Sequence, residues 1–308
     1  MTMRARRPLI LHTWPWKPAE LARVAGGKPA RFKYIPFEKL HARPRALKEA
    51  QGLIVLLSHP VTAELISSMP RLQALGTYSA GTNHIDQKAC RARGIPVINT
   101  PDVLTRATAE LAAALLLAAA RRLPEGETLC RKGRFKGWAP DLLLGLELKD
   151  RHAVLVGQGR IGLETARIFQ GLGLTTEFIG RHDTPADINQ KLARAQVLSL
   201  HCPLTPETRH WLDAGRLKIL PRDAIVLNTA RGEVIDEKAL ISRLKGRKIF
   251  AAGLDVFEDE PKIPSALRRL QNVVLAPHLG SATRITRARM LGVVVRGVSK
   301  KLTETAAR

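Results

Sequence analysis

Arg231, Glu260 and His278 each follow a short apolar run, in VLNTARG, GLDVFEDEP and VVLAPHLGSAT. Each is therefore expected on a loop at the carboxyl end of a strand, the edge along which open α/β sheets collect ligands. An arginine offers a bidentate fork to a carboxylate and positive charge to a carbonyl oxygen. An unperturbed imidazole titrates near neutrality, and a carboxylate beside it favours the protonated ring. Arg231 would thus hold and polarise a 2-oxo acid, His278 would protonate its oxygen as hydride reaches carbon, and Glu260 would keep the imidazolium in place. Singly, each residue type is more often structural. The three matching positions make the set a candidate site.

Hydride needs a donor, and residues 153–181, AVLVGQGRIGLETARIFQGLGLTTEFIGR, read as strand, glycine turn, helix and strand. Gly157 suits the tight turn, Gly159 the approach of a pyrophosphate to the backbone, and Gly162 close packing of helix on strand. Leu163, Ala166, Ile168 and Phe169 mark the apolar side of the helix. Arg181 stands 19 residues beyond Gly162, where an acid would bond the ribose 2′-hydroxyl of NAD. A guanidinium there matches a 2′-phosphate, so NADP(H) is the favoured cofactor and NAD(H) the second choice. Asp183 lies close enough in sequence to serve a ribose instead.

These residues must be positioned by repeated strand–helix units. Apolar runs predict strands at 8–11, 31–35, 52–57, 72–77 and 96–99, and again at 197–200, 224–228, 249–254 and 273–276. Helical patterns fall at 18–24, 44–50, after Thr62, at 85–93, at 236–245 and from 283 to 302. Thr105–Leu123 reads as one long, almost wholly apolar helix, the kind buried between layers or subunits. GRFKGWAP at 133–140 reads as an aromatic loop. Alternation of this length implies parallel sheets with helices on both faces.

At 308 residues the chain can bury about two cores. Cys90, Cys130 and Cys202 are scattered, which indicates neither a disulfide framework nor a metal site and fits a reducing cytoplasm. The apolar run near the start is too short for an export signal, and Leu111–Ala120 is half a membrane span, so no membrane partner is expected. The net charge of +23 comes from dispersed Lys and Arg without a basic tail or nucleic-acid motif. Solubility and steering of anions account for it better than a nucleic-acid partner.

Further segments carry a resemblance. SAGTNHID at 79–86, TAE at 108–110, the 157–162 glycines, HCPLTPET at 201–208, NTARG at 228–232, GLDVFEDEP at 253–261 and PHLGSA at 277–282 occur in one order. In that order they resemble the D-isomer-specific 2-hydroxyacid dehydrogenase family, over essentially the whole chain. TPDVLTRATAEL, GRFKGWAPD and FIGR are most similar to its glyoxylate/hydroxypyruvate reductases, which commonly prefer NADPH.

The resemblance implies two doubly wound α/β domains with a cleft between: a flavodoxin-like substrate domain of residues 1–100, to which 284–308 return, and a Rossmann-type dinucleotide domain of residues 101–283. It makes Arg231, Glu260 and His278 the catalytic set. Thr108, Arg160, Ile161, Cys202, Pro203, Thr208, Ala230, Asp255 and Gly280 would line the cofactor beside the fingerprint glycines and Arg181. Ala80 and Gly81 would bind the substrate carboxylate, and Trp138 would reach the active site of the second subunit of a homodimer or pack in its interface. Departures include the short segment after Arg181 and Ser58-His59-Pro60 in the place of the substrate loop. Two other readings stand beside a small 2-oxo acid reductase: a dehydrogenase of another small anion such as phosphite or formate, and a non-enzymatic protein that senses the dinucleotide.

Overall fold

The computed structural model describes residues 7–27 and 29–306. The chain divides into two compact units, Met1–Leu104 with Thr283–Arg308, and Thr105–Ala282.

The first unit begins with β1 (Leu9–His12), α1 (Pro18–Val24), β2 (Arg31–Tyr34), α2 (Pro44–Glu49) and β3 (Gly52–Val55). It continues through α3 (Ala63–Ser67), β4 (Ala74–Thr77), α4 (Gln87–Ala92) and β5 (Val97–Ile98). Its all-parallel sheet has the order β2-β1-β3-β4-β5, the flavodoxin-like arrangement. Thr62 caps α3 by accepting from the Leu65 N–H at 3.3 Å. Helix α4 starts two residues later than the pattern suggests, because the Asp86 side chain caps it through the Ala89 N–H at 2.8 Å.

The second unit comprises α5 (Thr105–Ala120), α6 (Leu123–Arg131), β6 (His152–Val156), α7 (Arg160–Gly171), β7 (Thr175–Ile179), α8 (Pro185–Ala193) and β8 (Val197–Leu200). It is completed by α9 (Ala214–Ile219), β9 (Ile225–Asn228), α10 (Glu237–Lys245), β10 (Ala251–Leu254), α11 (Ser265–Arg268) and β11 (Val273–Leu275). The six parallel strands run β11-β10-β9-β8-β6-β7. Numbered within the unit this is 2-1-3-4-5-6, not the 3-2-1-4-5-6 of the usual dinucleotide fold. The short segment after Arg181 holds one nine-residue helix before β8 crosses to the far side of β6, so β7 is an edge. Period-two alternation sorts the strands: Val154, Val156, Leu198 and Leu200 pack with Leu192, Leu217 and Leu240, while Ala153, Leu155 and Val197 pack under Leu116 and Phe169.

The C-terminal helix, α12 (Arg284–Ala306), belongs to the first unit, where Val294 and Val298 lie against Gly76 of β4. A Cβ on Gly76 would come within 2.6 Å of Val294.

Two expectations need correction. The apolar helix from Thr105 ends at Ala120, since Arg122 turns left-handed at φ 51° and pairs with Glu125. Beyond it lies α6, a helix that the sequence pattern did not single out, and the loop expected at 133–140 follows it. Leu163 does not belong to the buried face of α7 and is 42% exposed, whereas Ala166 and Phe169 are buried. No described helix is long and apolar enough to cross a membrane.

Candidate active site

Parallel strands put every following loop on one edge of the sheet. In spatial order the second unit presents there the loops of His278, Glu260, Arg231, Cys202–Thr208, Gly157–Gly159 and Arg181. At about 4.8 Å per strand, the Glu260 loop and Arg181 are about four spacings, or ~19 Å, apart. The sequence-derived catalytic and adenosine-end candidates therefore occupy opposite ends of one row.

His278 Nδ1 lies 2.9 Å from Glu260 Oε2, both side chains roughly one-third exposed. An ionised carboxylate only accepts, so Nδ1 carries the hydrogen toward Glu260 and Nε2 is the ring nitrogen that this bond leaves open. Burial pushes the Glu260 carboxyl up, but the His278 hydrogen bond and charge, the Phe257 N–H at 3.1 Å and the Arg231 charge bring it below its ordinary range. Burial draws the Arg231 guanidinium down while Glu260 and Glu233 oppose it. Arginine titrates so far above neutrality that the charge remains. Arg231 Nη1 also donates to the Ala230 carbonyl at 2.6 Å.

The loops are held by groups that sequence reasoning either assigned otherwise or passed over. Asp255, expected on the cofactor surface, is buried; its two oxygens accept the Leu279 N–H at 2.6 Å and the Gly280 N–H at 2.8 Å. Thr108 donates to the Gly280 carbonyl at 3.1 Å. These bonds hold His278 at a left-handed φ of 55°, a conformation a non-glycine residue keeps only under constraint. Asn228 was not singled out as a site residue, yet its amide donates to the Arg231 carbonyl at 2.8 Å and accepts the Ala230 N–H at 3.0 Å. An asparagine at a strand end is the available signal for such a turn. A Cβ on Gly232 would lie 1.8 Å from the Phe257 carbonyl carbon, so the Arg231 and Glu260 loops interlock.

At the switch point between β6 and β8, Gly157 has φ 100° and its missing Cβ would meet the Cys202 nitrogen at 2.9 Å. A Cβ on Gly162 would lie 2.2 Å from the Gly157 carbonyl oxygen, whereas one on Gly159 would meet nothing within 4 Å. Gly159 is the N-cap of α7 and brings no capping side chain, so the first turn of the helix presents the positive end of its dipole at the glycine turn. His201 Nδ1 is buried without a hydrogen-bond partner, and burial lowers the ring to about 4. Burial lifts the Cys202 thiol to about 11, which makes it a wall and not a nucleophile. The Thr208 hydroxyl donates to the Pro203 carbonyl at 2.6 Å and shapes that loop. Arg181 is exposed, with no hydrogen-bond or ion-pair partner among the described residues. Asp183 is committed locally, to the Gly180 N–H at 2.6 Å and to Lys191 at 2.5 Å.

Ala80 and Gly81 lie in the first unit, after β4; their carbonyls accept from Asn99 and Ser79, both at 2.7 Å. Trp138 lies in the second unit and is 84% exposed.

A profile of the D-isomer specific 2-hydroxyacid dehydrogenase, NAD binding domain, matches residues 113–280. The chain is 41% identical over 266 residues to a glyoxylate reductase of Thermococcus litoralis, covering 82% of this chain and 80% of that one. The chain belongs to the D-isomer-specific 2-hydroxyacid dehydrogenase family. A further glyoxylate reductase of the family, from Korarchaeum cryptofilum, is 42% identical over 260 residues, 80% of this chain and 78% of that one. A solved NADPH-dependent glyoxylate/hydroxypyruvate reductase from Sinorhizobium meliloti, in complex with NADP and malonate, matches with a TM-score of 0.83 at 32% identity, covering 94% and 92% of the two chains. The nicotinamide dinucleotide of these dehydrogenases fits the residues present. The uncapped α7 terminus and the open face of Gly159 are the features by which a pyrophosphate is held at a glycine turn.

Proposed function

We propose that this dehydrogenase reduces a small 2-oxo acid, glyoxylate or hydroxypyruvate, to the D-2-hydroxy acid, with NADPH preferred over NADH. The observation that carries the reading is the 2.9 Å His278–Glu260 pair on the loops next to that of Arg231. The activities of the relatives support the substrate class.

Arg231 would bind the substrate carboxylate and draw electron density toward the carbonyl oxygen. The bound cofactor supplies the hydride. His278 Nε2 would deliver the proton to the oxygen, and Glu260 would stabilise the ring while it carries that proton and fix its orientation. Gly157, Gly159, Arg160, Ile161 and Gly162 would cradle the pyrophosphate, with Cys202, Pro203, Thr208 and Ala230 as neighbouring wall; Asp255, Thr108 and Gly280 would support the His278 loop. Residues 101–283 would form the dinucleotide domain, and 1–100 with 284–308 the substrate domain, with the Ala80 and Gly81 amides offered to the carboxylate.

The preference for NADPH is supported by Arg181, exposed and without a partner among the described residues, and by the prior engagement of Asp183, the acid nearest to it in sequence. Leu117, Leu123, Phe135, Trp138, Leu142 and Leu144 are all exposed on the second unit, which supports a homodimer built on this surface with Trp138 at the partner's substrate site. The free thiols support a reducing, cytoplasmic setting. NADPH oxidation measured with a panel of 2-oxo acids, phosphite and formate tests the reading. Turnover is expected with the smallest 2-oxo acids and lost in His278→Ala; full activity in that variant refutes the mechanism.

A further inference from the structure

A second histidine–carboxylate pair lies beside the first. His210 Nε2 is 2.7 Å from Glu258 Oε1, and Arg209 approaches the same oxygen at 3.9 Å. Glu258 is two residues from Glu260 on the same loop. The backbone N–H of His210 donates to the Glu233 carbonyl at 2.7 Å, two residues beyond Arg231. Adjacent bonds continue the tie, from the Leu212 N–H to Val234 and from the Asp236 N–H to Leu212. One residue of the loop after β8 thus grips the Arg231 loop through its backbone and the Glu260 loop through its ring. The Glu258 N–H in turn faces the largely buried Glu237 carboxylate at 3.5 Å, whose pKa is raised by burial and by the charges of Glu258 and Asp259.

His210 has φ 49°, in the left-handed region. Histidine, asparagine and aspartate tolerate that region better than most residues, but of these only histidine is both a donor and long enough to span to Glu258. A chain that needed only a turn here would be served by glycine or asparagine. We propose that His210 is a positioning residue for the reaction: by holding Glu258 it sets the loop from which Glu260 orients His278, and so coordinates the Arg231 and Glu260 loops. The inference rests on the catalytic reading of Arg231, Glu260 and His278.

His210→Asn separates the two grips, because asparagine retains the backbone amide and the left-handed conformation but not the reach. Steady-state reduction by NADPH across pH, with circular dichroism to verify the fold, is the experiment. His210→Asn is expected to lower kcat about tenfold, the effect of losing a hydrogen bond to a charged group, with KM for NADPH within about twofold. The alkaline limb of its rate profile moves to lower pH, because a loosened Glu260 supports the protonated ring less well. Glu258→Gln, which can still accept from the ring, retains most of kcat. Glu258→Ala reproduces the His210→Asn defect, and the double variant is no worse than either, since both remove one interaction. Should His210→Asn fail to fold, Glu258→Ala with its own pH profile carries the test. A wild-type kcat and limb in folded His210→Asn or Glu258→Ala, or additive losses in the double variant, overturns the inference. His278→Ala distinguishes the two failures: if it is inactive while the His210 and Glu258 variants behave as wild type, only the positioning role falls.

Discussion

Glu260→Gln isolates the charge of the carboxylate beside His278. Glutamine has nearly the same shape and can keep an oxygen toward the Phe257 N–H, so the loop itself is little disturbed. A hydrogen bond to a charged group contributes about 1.5–3 kcal/mol when shielded. With the Glu260 and His278 side chains 31% and 27% exposed, solvent screening reduces this. A value of roughly 1.4 kcal/mol is appropriate, which corresponds to about a tenfold loss of rate on the alkaline side. The sign follows from the direction of reaction. Reduction uses the protonated imidazole, and the Glu260 carboxyl is held below its ordinary range, hence ionised throughout the neutral region. Removing its charge favours the neutral ring, so the limb moves to lower pH and the deficit of the variant grows as pH rises. Initial rates of NADPH oxidation at saturating 2-oxo acid from about pH 5 to 9 measure it. A limb that superposes on that of the wild type, or a deficit constant at every pH, refutes the assignment of Glu260.

Arg181→Ala is expected to raise KM for NADPH by about ten- to a hundredfold, the loss of a charge-assisted pair, with KM for NADH nearly unchanged; equal effects on both cofactors would remove the 2′-phosphate reading. Gly162→Ala places a methyl group 2.2 Å from the Gly157 carbonyl oxygen, a backbone atom that cannot swing aside. The glycine turn must open, so calorimetric titration should show dinucleotide affinity falling at least about tenfold and thermal unfolding should come earlier, by about 1–3 kcal/mol; wild-type affinity contradicts the close packing. Leu144→Glu puts a charge on a residue 63% exposed, one of the exposed apolar side chains of the second unit. Sedimentation should find wild-type protein at twice the 33.9 kDa subunit mass and the variant shifted toward one subunit; an unchanged dimer places the interface elsewhere.

The strands were readable because both faces of each sheet are covered, which turns the strands into continuous apolar runs such as GLIV at β3 and VLSL at β8. Helix ends were less so. The apolar pattern of α5 runs on through Leu123, but Gly145 approaches so closely that a Cβ there would lie 2.3 Å from the Ala120 carbonyl oxygen, and the chain turns at Arg122. Helix α6 carried a start signal in Pro124, obscured by Gly126 within it.

From the sequence alone, the loop positions of Arg231, Glu260 and His278 followed from the apolar run before each, and the glycine spacing specified a dinucleotide turn. Both are local patterns, written in consecutive residues. What only the tertiary structure decided is which side chains are already spent and which hold others. Asp183 is bound to Gly180 and Lys191; Asp255 anchors a loop 24 residues away; His210 joins Glu258 across 48 residues. Parallel strands bring such distant loops to one edge, and the partner each polar group finds there depends on strand order and register, which no single segment encodes.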